Sequence, residues 1–550
     1  MNKKIFIFLT SIALLASVLR LWELGKVPIS PDWDEVALGY NAYSIMQTGR
    51  DEYGKFFPIV LRSFDDYKPA LYAYFAMPFI KLFDLTVFAV RLPSAIFGIL
   101  TVVAAFFLIK ELFKKNNIAL LASFLLAISP WHIQFSRIAF ESNVGLAFNI
   151  FAVVFFLKGL RKGWFLLISA IMFGLSLHVY QSEKVFVPLL CFGLFIIFRK
   201  ELLLIKKKYL WISLLALVLI ALPLVHFTLT NKEALSRAKG VSIFSDNTVI
   251  ESSVKRIAYD KEYNYFVGLI FDNRRVELTK EIISGYISHF DLNWLFVTGD
   301  ISRHHAPNMG LMYLWELPFL LIGIYWLIFG NFDRKVKYFI VSWILITPIP
   351  ASITSGVPHA VRTLNFLPIL QVLVAIGIMA ALNRILNFKY QILRIHIKYL
   401  IFTIFILFFI FNFSYYANQY FVQQNYVTAY DWQYGYEKLM PEVTRIGENY
   451  KKIIVSNRPP MDQSYMFFLF YLKYSPSIYQ KETKGDVSGG FEEIHKFGKY
   501  EFRQINWVDE KISPETLFVG IPDDFSDDAN IINTFFYPNG EPAMQIASQK

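Results

Sequence analysis

Residues 5–36, IFIFLTSIALLASVLRLWELGKVPISPDWDEV, place a long apolar run shortly before two adjacent carboxylates. The apolar part has the length that crosses the hydrocarbon core of a membrane. Asp34 and Glu35 follow it by about a dozen residues, and ionisable groups this close to a membrane span seldom serve an apolar core. We therefore expect the pair at a membrane surface, where it can take part in acid–base chemistry.

The rest of the chain repeats this apolar pattern. Of its 550 residues 55% are hydrophobic and 18% aromatic, with a mean hydropathy of +0.41, which argues against an ordinary soluble protein. Apolar runs predict eleven spans, near residues 5–22, 87–109, 117–131, 142–157, 164–179, 183–198, 209–228, 309–330, 338–354, 363–383 and 399–417. The predicted fold class is an all-α polytopic membrane protein. A cleaved signal peptide is the alternative for the first run, but the end of that run offers no small-x-small cleavage site.

The distribution of basic residues predicts the orientation of these spans. With Lys3 and Lys4 in the cytoplasm, eighteen Lys and Arg residues fall in the short inner loops and three in the short outer loops. This topology accounts for the net charge of +11 without a nucleic-acid partner. It also makes residues 69–83, which are apolar but short, an interfacial helix instead of a span. We expect a multi-pass protein of the cytoplasmic membrane with a cytoplasmic N-terminus.

The long hydrophilic segments then all lie outside the membrane. They are the loops 23–86 and 229–308 of a transmembrane domain at 1–417, and a tail at 418–550. In the tail, 453–455 and 517–519 have the composition of buried strands, 434–447 and 464–474 that of helices, and Asn539-Gly540 that of a hairpin turn. The tail is predicted to be an extracytoplasmic α/β domain. Cys191 is the only cysteine, which excludes an intrachain disulfide.

Several outer-face residues are candidates for a polar cavity, and each has a structural alternative. Asp34 and Glu35 also suit a helix start, with Asp as N-cap and Glu in the first turn. Lys68 is a candidate phosphate ligand, although Asp65, Asp66, Tyr67 and Lys68 would equally suit a turn before a helix that begins at Pro69.

The remaining candidates lie further along the chain. Arg137 and Glu141 have the spacing of a local salt bridge, but Arg137 could also bind phosphate in bidentate fashion. His359 and Arg362 would add a polar group and a second cation. Arg303-His304-His305 is weak support for a metal site, so no metal ligand is assigned; the sequence fixes no cofactor, and a divalent metal stays an open alternative.

Four pieces of sequence carry a resemblance to a known family. They are Trp33–Ser44 (WDEVALGYNAYS), Tyr67–Tyr72 (YKPALY), Arg91–Ala95 (RLPSA) and Pro358–Arg362 (PHAVR), and Ser129–Glu141 fits the same order. Together they resemble the GT-C glycosyltransferases, and among them the protein O-mannosyltransferase and aminoarabinose (lipid A) transferase superfamily, in the manner of glycosyltransferase family 39. The resemblance covers residues 5–380. Ala70 departs from the aminoarabinose branch, which usually has a second proline there, so the substrate class does not carry over.

The resemblance implies transfer of a monosaccharide from a polyprenyl-phosphate donor to a hydroxyl group of a protein, glycan or lipid, with inversion. Asp34 matches the position of the catalytic base and Glu35 its neighbour. Lys68, with Arg137 and Arg362, would hold the donor phosphate, while Asp65, Asp66, Tyr67, Glu141 and His359 would line the substrate cavity. The alternative is a lipid or sugar transporter or flippase, which charges within the spans or inverted repeats would favour. A third reading is an outer-domain scaffold anchored by many helices.

Overall fold

The computed structural model describes residues 2–64, 66–231, 240, 242–245, 247–386, 391–483, 494–510 and 514–549. The chain forms two compact units. The first, here called the helical unit, comprises Met1–Ala16, Leu100–His132 and Ser142–Phe413. The second, the mixed unit, comprises Ser17–Ile99, Ile133–Glu141 and Ser414–Lys550.

Helices make up most of the chain. The first half contains α1 Lys3–Leu21, α2 Trp33–Thr48, α3 Leu71–Phe83, α4 Val87–Phe113, α5 Asn116–Ile128, α6 Pro130–Ser136, α7 Glu141–Gly159, α8 Phe165–Leu177, α9 Glu183–Leu203 and α10 Lys207–Thr230. The second half contains α11 Asn247–Glu262, α12 Gly268–Phe271, α13 Arg274–Ser288, α14 Glu316–Phe329, α15 Arg334–Ile346, α16 Ile349–Ser352, α17 Ile369–Leu386, α18 Gln391–Asn418, α19 Gln424–Val427, α20 Tyr436–Gly447, α21 Ser464–Tyr471 and α22 Pro476–Thr483.

Within the described residues, five helical segments are long and apolar enough to cross a membrane. They are α1, α4, α7, α10 and the segment Leu364–Arg384, and α5 with α6, bent by 59°, adds a sixth if the pair is one broken span. This supports the prediction of a multi-pass membrane protein. Helices occur at all eleven predicted positions, but among the described residues only these five segments, or six with the bent pair, meet the criterion for a span, so the count of eleven stays a prediction.

Helices α14 and α17 approach each other closely in the helical unit because glycines form their contact. A Cβ atom on Gly323 would lie 1.9 Å from the carbonyl oxygen of Leu373, and one on Gly377 would lie 1.9 Å from that of Phe319. Small residues allow backbones to approach in this way where lipid gives no hydrophobic drive for association.

The first long loop contains two helices, α2 and α3, and a hairpin separates them. Gly49 ends α2 with φ of 70°, a backbone conformation that glycine adopts without strain. Strands β1 Val60–Ser63 and β2 Asp66–Pro69 then pair antiparallel, with Leu61 opposite Lys68. Pro69 therefore closes β2, and the prediction that it begins a helix is wrong: ladder pairing with β1 holds 66–69 extended, and α3 begins only at Leu71.

The C-terminal part of the mixed unit contains a six-stranded sheet. Its strands are β3 Lys452–Val455, β4 His495–Phe497, β5 Tyr500–Phe502, β6 Thr516–Gly520, β7 Asn530–Phe536 and β8 Pro542–Ser548, in the order β4-β5-β3-β6-β8-β7. The predicted strands at 453–455 and 517–519 are the parallel pair β3 and β6, and Asn539-Gly540 lies in the turn between β7 and β8. The α/β character predicted for the tail is confirmed, while its boundary at 417/418 stays a prediction.

Candidate active site

The start of α2 is organised by a capping box that does not use Asp34. Asp32 is the N-cap, and its Oδ1 accepts a hydrogen bond from the Glu35 backbone N–H at 2.9 Å. Glu35 completes the box by pointing its carboxylate back at the Asp32 N–H. The N-cap suggested as an alternative for the carboxylate pair is thus satisfied by Asp32 and Glu35, and the Asp34 carboxylate has no part in it.

Glu35 is a buried carboxylate whose oxygens are used by neighbouring groups. Arg91 donates to it through Nε at 2.9 Å and through a terminal nitrogen at 2.8 Å, a bidentate ion pair. The Ala139 backbone N–H donates to the same carboxylate at 2.8 Å. The residue is 2% exposed. Glu35 therefore fixes α2 to α4 and to the segment before α7.

Arg91 is wholly buried, and it joins Glu35 to the loop that leads into α2. Its two terminal nitrogens donate to the backbone carbonyls of Leu24, Pro28 and Ser30 at 3.2, 2.9 and 2.8 Å. The guanidinium also lies 6.0 Å from the ring centroid of Trp432. One buried cation thus determines the path of residues 24–30 and the orientation of Glu35.

Asp34 contrasts with its neighbour, because its side chain is 28% exposed and is in an ion pair with Lys68. Lys68 projects from β2, and its side chain is 10% exposed. A lysine ammonium has three donors, so it can bind a second anion while it keeps the carboxylate. The pair can thus combine an exposed proton acceptor with a cation that binds phosphate.

The C-terminal part of the mixed unit holds the same helix start. Gln433 accepts from the Trp33 backbone N–H at 3.1 Å through its side-chain oxygen. Its amide nitrogen donates to the carbonyls of Pro460 and Asp462, each at 2.9 Å. These three bonds fix Gln433 against the residue that precedes Asp34.

Two other predicted site residues of this unit, Arg137 and Glu141, are buried. Arg137 is buried and donates to the carbonyls of Leu19 at 3.0 Å and Val27 at 3.1 Å. Glu141 begins α7 and is buried. The roles of both in substrate binding stay predictions.

The remaining predicted site residues of the mixed unit are those just before Lys68. Tyr67 is buried on β2, next to Lys68, and Asp66 forms the first residue of that strand. Asp65 lies outside the described residues.

A second buried carboxyl lies in the loop after α2. The Glu52 carboxyl accepts from the Asn41 amide at 3.0 Å, and the Glu52 backbone N–H donates to the Asn41 side-chain oxygen at 3.1 Å. Burial raises the pKa of Glu52 to about 8; the Asn41 bond opposes this rise, and the Asp51 carboxylate adds to it. Glu52 is thus protonated over most of the physiological range.

The predicted residues His359 and Arg362 belong to the helical unit. His359 lies with Asp300 and His304, and one ligand-type atom of each of the three lies within 4.8 Å of the other two. Burial would raise the pKa of Asp300, but the hydrogen bond and positive potential of His304 lower it overall. Arg362 donates to the Thr354 hydroxyl and to the Ser355 carbonyl at 2.7 Å.

Sequence reasoning missed Arg91, Gln433 and Asp300 as site residues. Arg91 carried a usable signal, since a charge five residues into a predicted span is costly unless it is paired. Gln433 and Asp300 carried none, because their contacts depend on segments that are distant in sequence.

Comparison with known proteins places this arrangement in context. Residues 67–226 match the family model described as dolichyl-phosphate-mannose-protein mannosyltransferase. A sequence comparison with curated proteins gives no match.

Two solved membrane enzymes share the fold. Archaeal oligosaccharyltransferase AglB from Archaeoglobus fulgidus, solved with an inhibitory peptide and a dolichol-phosphate, aligns with a TM-score of 0.52 and 12% identity. That alignment covers 86% of this chain and 64% of AglB, so the chain spans about two thirds of that relative. ArnT from Cupriavidus metallidurans, solved with undecaprenyl phosphate, aligns with a TM-score of 0.52 and 10% identity over 99% of this chain and 98% of ArnT.

At such identities the structural matches establish the fold, and they agree with the family model that matches residues 67–226. The predicted resemblance is thereby confirmed: this chain has the fold of the GT-C glycosyltransferases.

Proposed function

We propose that the protein is a membrane glycosyltransferase that moves a monosaccharide from a polyprenyl-phosphate donor to a hydroxyl acceptor at the outer face of the cytoplasmic membrane. The observation that carries this proposal is the division of labour in the Asp34-Glu35 pair. Glu35 is buried and bound to Arg91, while Asp34 stays partly exposed beside Lys68. An accessible carboxylate beside a cation suits a base that works next to an anionic leaving group.

In the proposed reaction Asp34 accepts the proton of the acceptor hydroxyl as that oxygen attacks C1 of the sugar. The bond between C1 and the phosphate oxygen breaks, and its electron pair leaves with the polyprenyl phosphate. Attack opposite to the leaving group inverts the configuration at C1, and no covalent enzyme intermediate is required.

Lys68 has two roles in this proposal. Before the donor binds, its ammonium neutralises Asp34. When the donor phosphate arrives, the same ammonium offsets the charge that develops on the leaving oxygen. Since Lys68 lies on β2 and Asp34 on α2, the hairpin positions the phosphate-binding group relative to the base.

The supporting groups explain why a single carboxylate remains accessible. Arg91, Ala139 and Asp32 hold Glu35, and Gln433 holds the backbone in front of Asp34. A base held by rigid elements loses little energy to reorganisation when the acceptor binds. Two solved structures that share the fold support the class of donor: AglB was solved with a dolichol-phosphate and ArnT with undecaprenyl phosphate.

The test gives purified full-length protein a panel of polyprenyl-phosphate sugars together with membrane extract, and follows products by mass spectrometry. We expect a sugar-bearing acceptor and free polyprenyl phosphate from at least one donor. If the intact donor crosses a vesicle membrane and no sugar is released from any donor, the result would support the transporter alternative instead.

A further inference from the structure

In the helical unit, the loop after α13 and the loop before α17 bring together a constellation that the proposed reaction does not use. Asp300 and His304 belong to the first loop, and His359 belongs to the second. One carboxylate oxygen and one nitrogen of each imidazole lie within 4.8 Å of one another. The two imidazole centroids are 5.1 Å apart.

The backbone that carries His359 is held in place on several sides. Its N–H donates to His289 Nε2 at 3.1 Å, and the next carbonyl, that of Ala360, accepts from Trp131 Nε1 at 3.2 Å. The Ala360 N–H donates to Asp300 at 2.5 Å, so the carboxylate is bound to the loop as well. His289 in turn has its Nδ1 at 2.6 Å from the Gly285 carbonyl, which fixes that nitrogen as the donor and Nε2 as the acceptor.

Although the backbone around it is held by hydrogen bonds, His359 Nδ1 takes part in none. The atom is buried and has no hydrogen-bond partner among the described residues. A buried polar nitrogen without a partner costs free energy, and native proteins keep few of them. The His359 imidazole belongs to the same cluster as Asp300 and His304, so a metal ion bound through this nitrogen would satisfy it.

We propose that Asp300, His304 and His359 bind a divalent metal ion of the zinc type, which joins the loop after α13 to the loop before α17. Two imidazoles and a carboxylate are a ligand set that Zn²⁺ accepts, with a fourth position filled by a water or another oxygen ligand. Tetrahedral bonds would bring the three ligand atoms to about 3.4 Å apart, which is within reach of side-chain rotation from the present separation.

This site differs from the weak candidate in the sequence. The sequence suggested a metal site at the adjacent His304 and His305 of Arg303-His304-His305. However, His305 Nδ1 lies within hydrogen-bond distance of the carbonyls of Ala306 and Met309, at 2.8 and 3.0 Å. Of the three residues only His304 joins the cluster. The other two ligands of the site are Asp300, four residues before His304, and His359, more than fifty residues after it.

A local hydrogen bond could explain why Asp300 and His304 lie together without a metal, since His304 Nδ1 is 3.0 Å from an oxygen of Asp300. A carboxylate four residues before a histidine can stabilise a turn without any metal. That explanation leaves His359 Nδ1 unpaired and predicts no metal affinity.

The experiment uses full-length protein in detergent, stripped with a chelator and dialysed against Zn²⁺ or Co²⁺. We expect one metal ion per chain by elemental analysis, and for Co²⁺ the visible absorption of a four-coordinate nitrogen and oxygen site. The variants His359→Gln and His304→Ala should each lose at least about tenfold in affinity. His305→Ala, a histidine of the same loop outside the cluster, should bind as the wild type does.

The proposal is overturned if the wild type binds no metal after reloading, or if His359→Gln and His304→Ala bind it as tightly as His305→Ala does. A Co²⁺ spectrum of wild type with octahedral, weakly absorbing character would also overturn it, and this readout needs no variant to fold. Because none of these measurements involves sugar transfer, their outcome is separate from that of the proposed function.

Discussion

Replacement of Glu35 by alanine tests the distinction between the two adjacent carboxylates. Arg91 is wholly buried, and Glu35 is the acidic partner of its guanidinium. Removal of that partner leaves an uncompensated buried charge, which costs about 3–5 kcal/mol of unfolding free energy. Asp34→Ala breaks the ion pair with Lys68, whose side chain is 10% exposed. The cost should be smaller than for Glu35→Ala, because a flexible lysine ammonium can turn toward water in the space that the carboxylate leaves, whereas the Arg91 guanidinium is wholly buried and held by three backbone carbonyls.

The assay is equilibrium unfolding in mixed detergent micelles, followed by tryptophan fluorescence and by circular dichroism. We expect Glu35→Ala to lose several times more stability than Asp34→Ala. The double variant Glu35→Ala with Arg91→Met removes the stranded charge and should recover part of the loss. Equal stability of the Glu35→Ala and Asp34→Ala variants would refute the structural role of Glu35.

Three further predictions follow from other parts of the chain. Lys68→Met should lower kcat/KM for the lipid-linked donor by about 100-fold, measured by initial rates, whereas Lys473→Met, which removes an exposed lysine paired with Asp84, should leave it unchanged. The pKa of Glu52 is about 8 in the folded chain and about 4.5 in the unfolded chain, so between these pH values the unfolded chain has lost the proton that the folded chain keeps. This group therefore lowers the free energy of unfolding as pH rises from 4.5 to 8. Glu52→Gln should reduce the fall of the thermal midpoint with pH across this range. Gly377→Ala should destabilise the packing of α14 on α17, because the new methyl would collide with the Phe319 carbonyl, and a folded variant with unchanged thermal midpoint would contradict this contact.

The sequence was sufficient for features that depend on local pattern. Apolar runs predict membrane helices, and short apolar runs at 453–455 and 517–519 predict the strands that form β3 and β6. Each of these depends on residues close together in the chain, where hydrophobic period and backbone preference decide the outcome.

Features that depend on distant contacts could not be predicted. Lys68 lies on a strand because β1 pairs with it, and nothing in Tyr67-Lys68-Pro69 indicates that pairing. Asp34 and Glu35 have different roles because Arg91 and the Ala139 N–H, which belong to other segments, bind Glu35. The residue types alone leave either carboxylate as the base.

The metal-binding cluster shows the same limit. Adjacent histidines drew notice in the sequence, yet the partner that completes the cluster, His359, comes from a loop more than fifty residues later. Only the packing of that loop against His289 and Trp131 brings its imidazole to His304.

The most direct test of the proposed function compares Asp34→Asn with Asp84→Asn in the transfer assay. Both variants convert an aspartate paired with a lysine into its amide, but Asp84 pairs with Lys473 and has no place in the proposed site. We predict that Asp34→Asn folds normally and transfers sugar at least about 100-fold more slowly, while Asp84→Asn works at the wild-type rate. Wild-type turnover by Asp34→Asn would contradict the proposed role of Asp34 as the catalytic base.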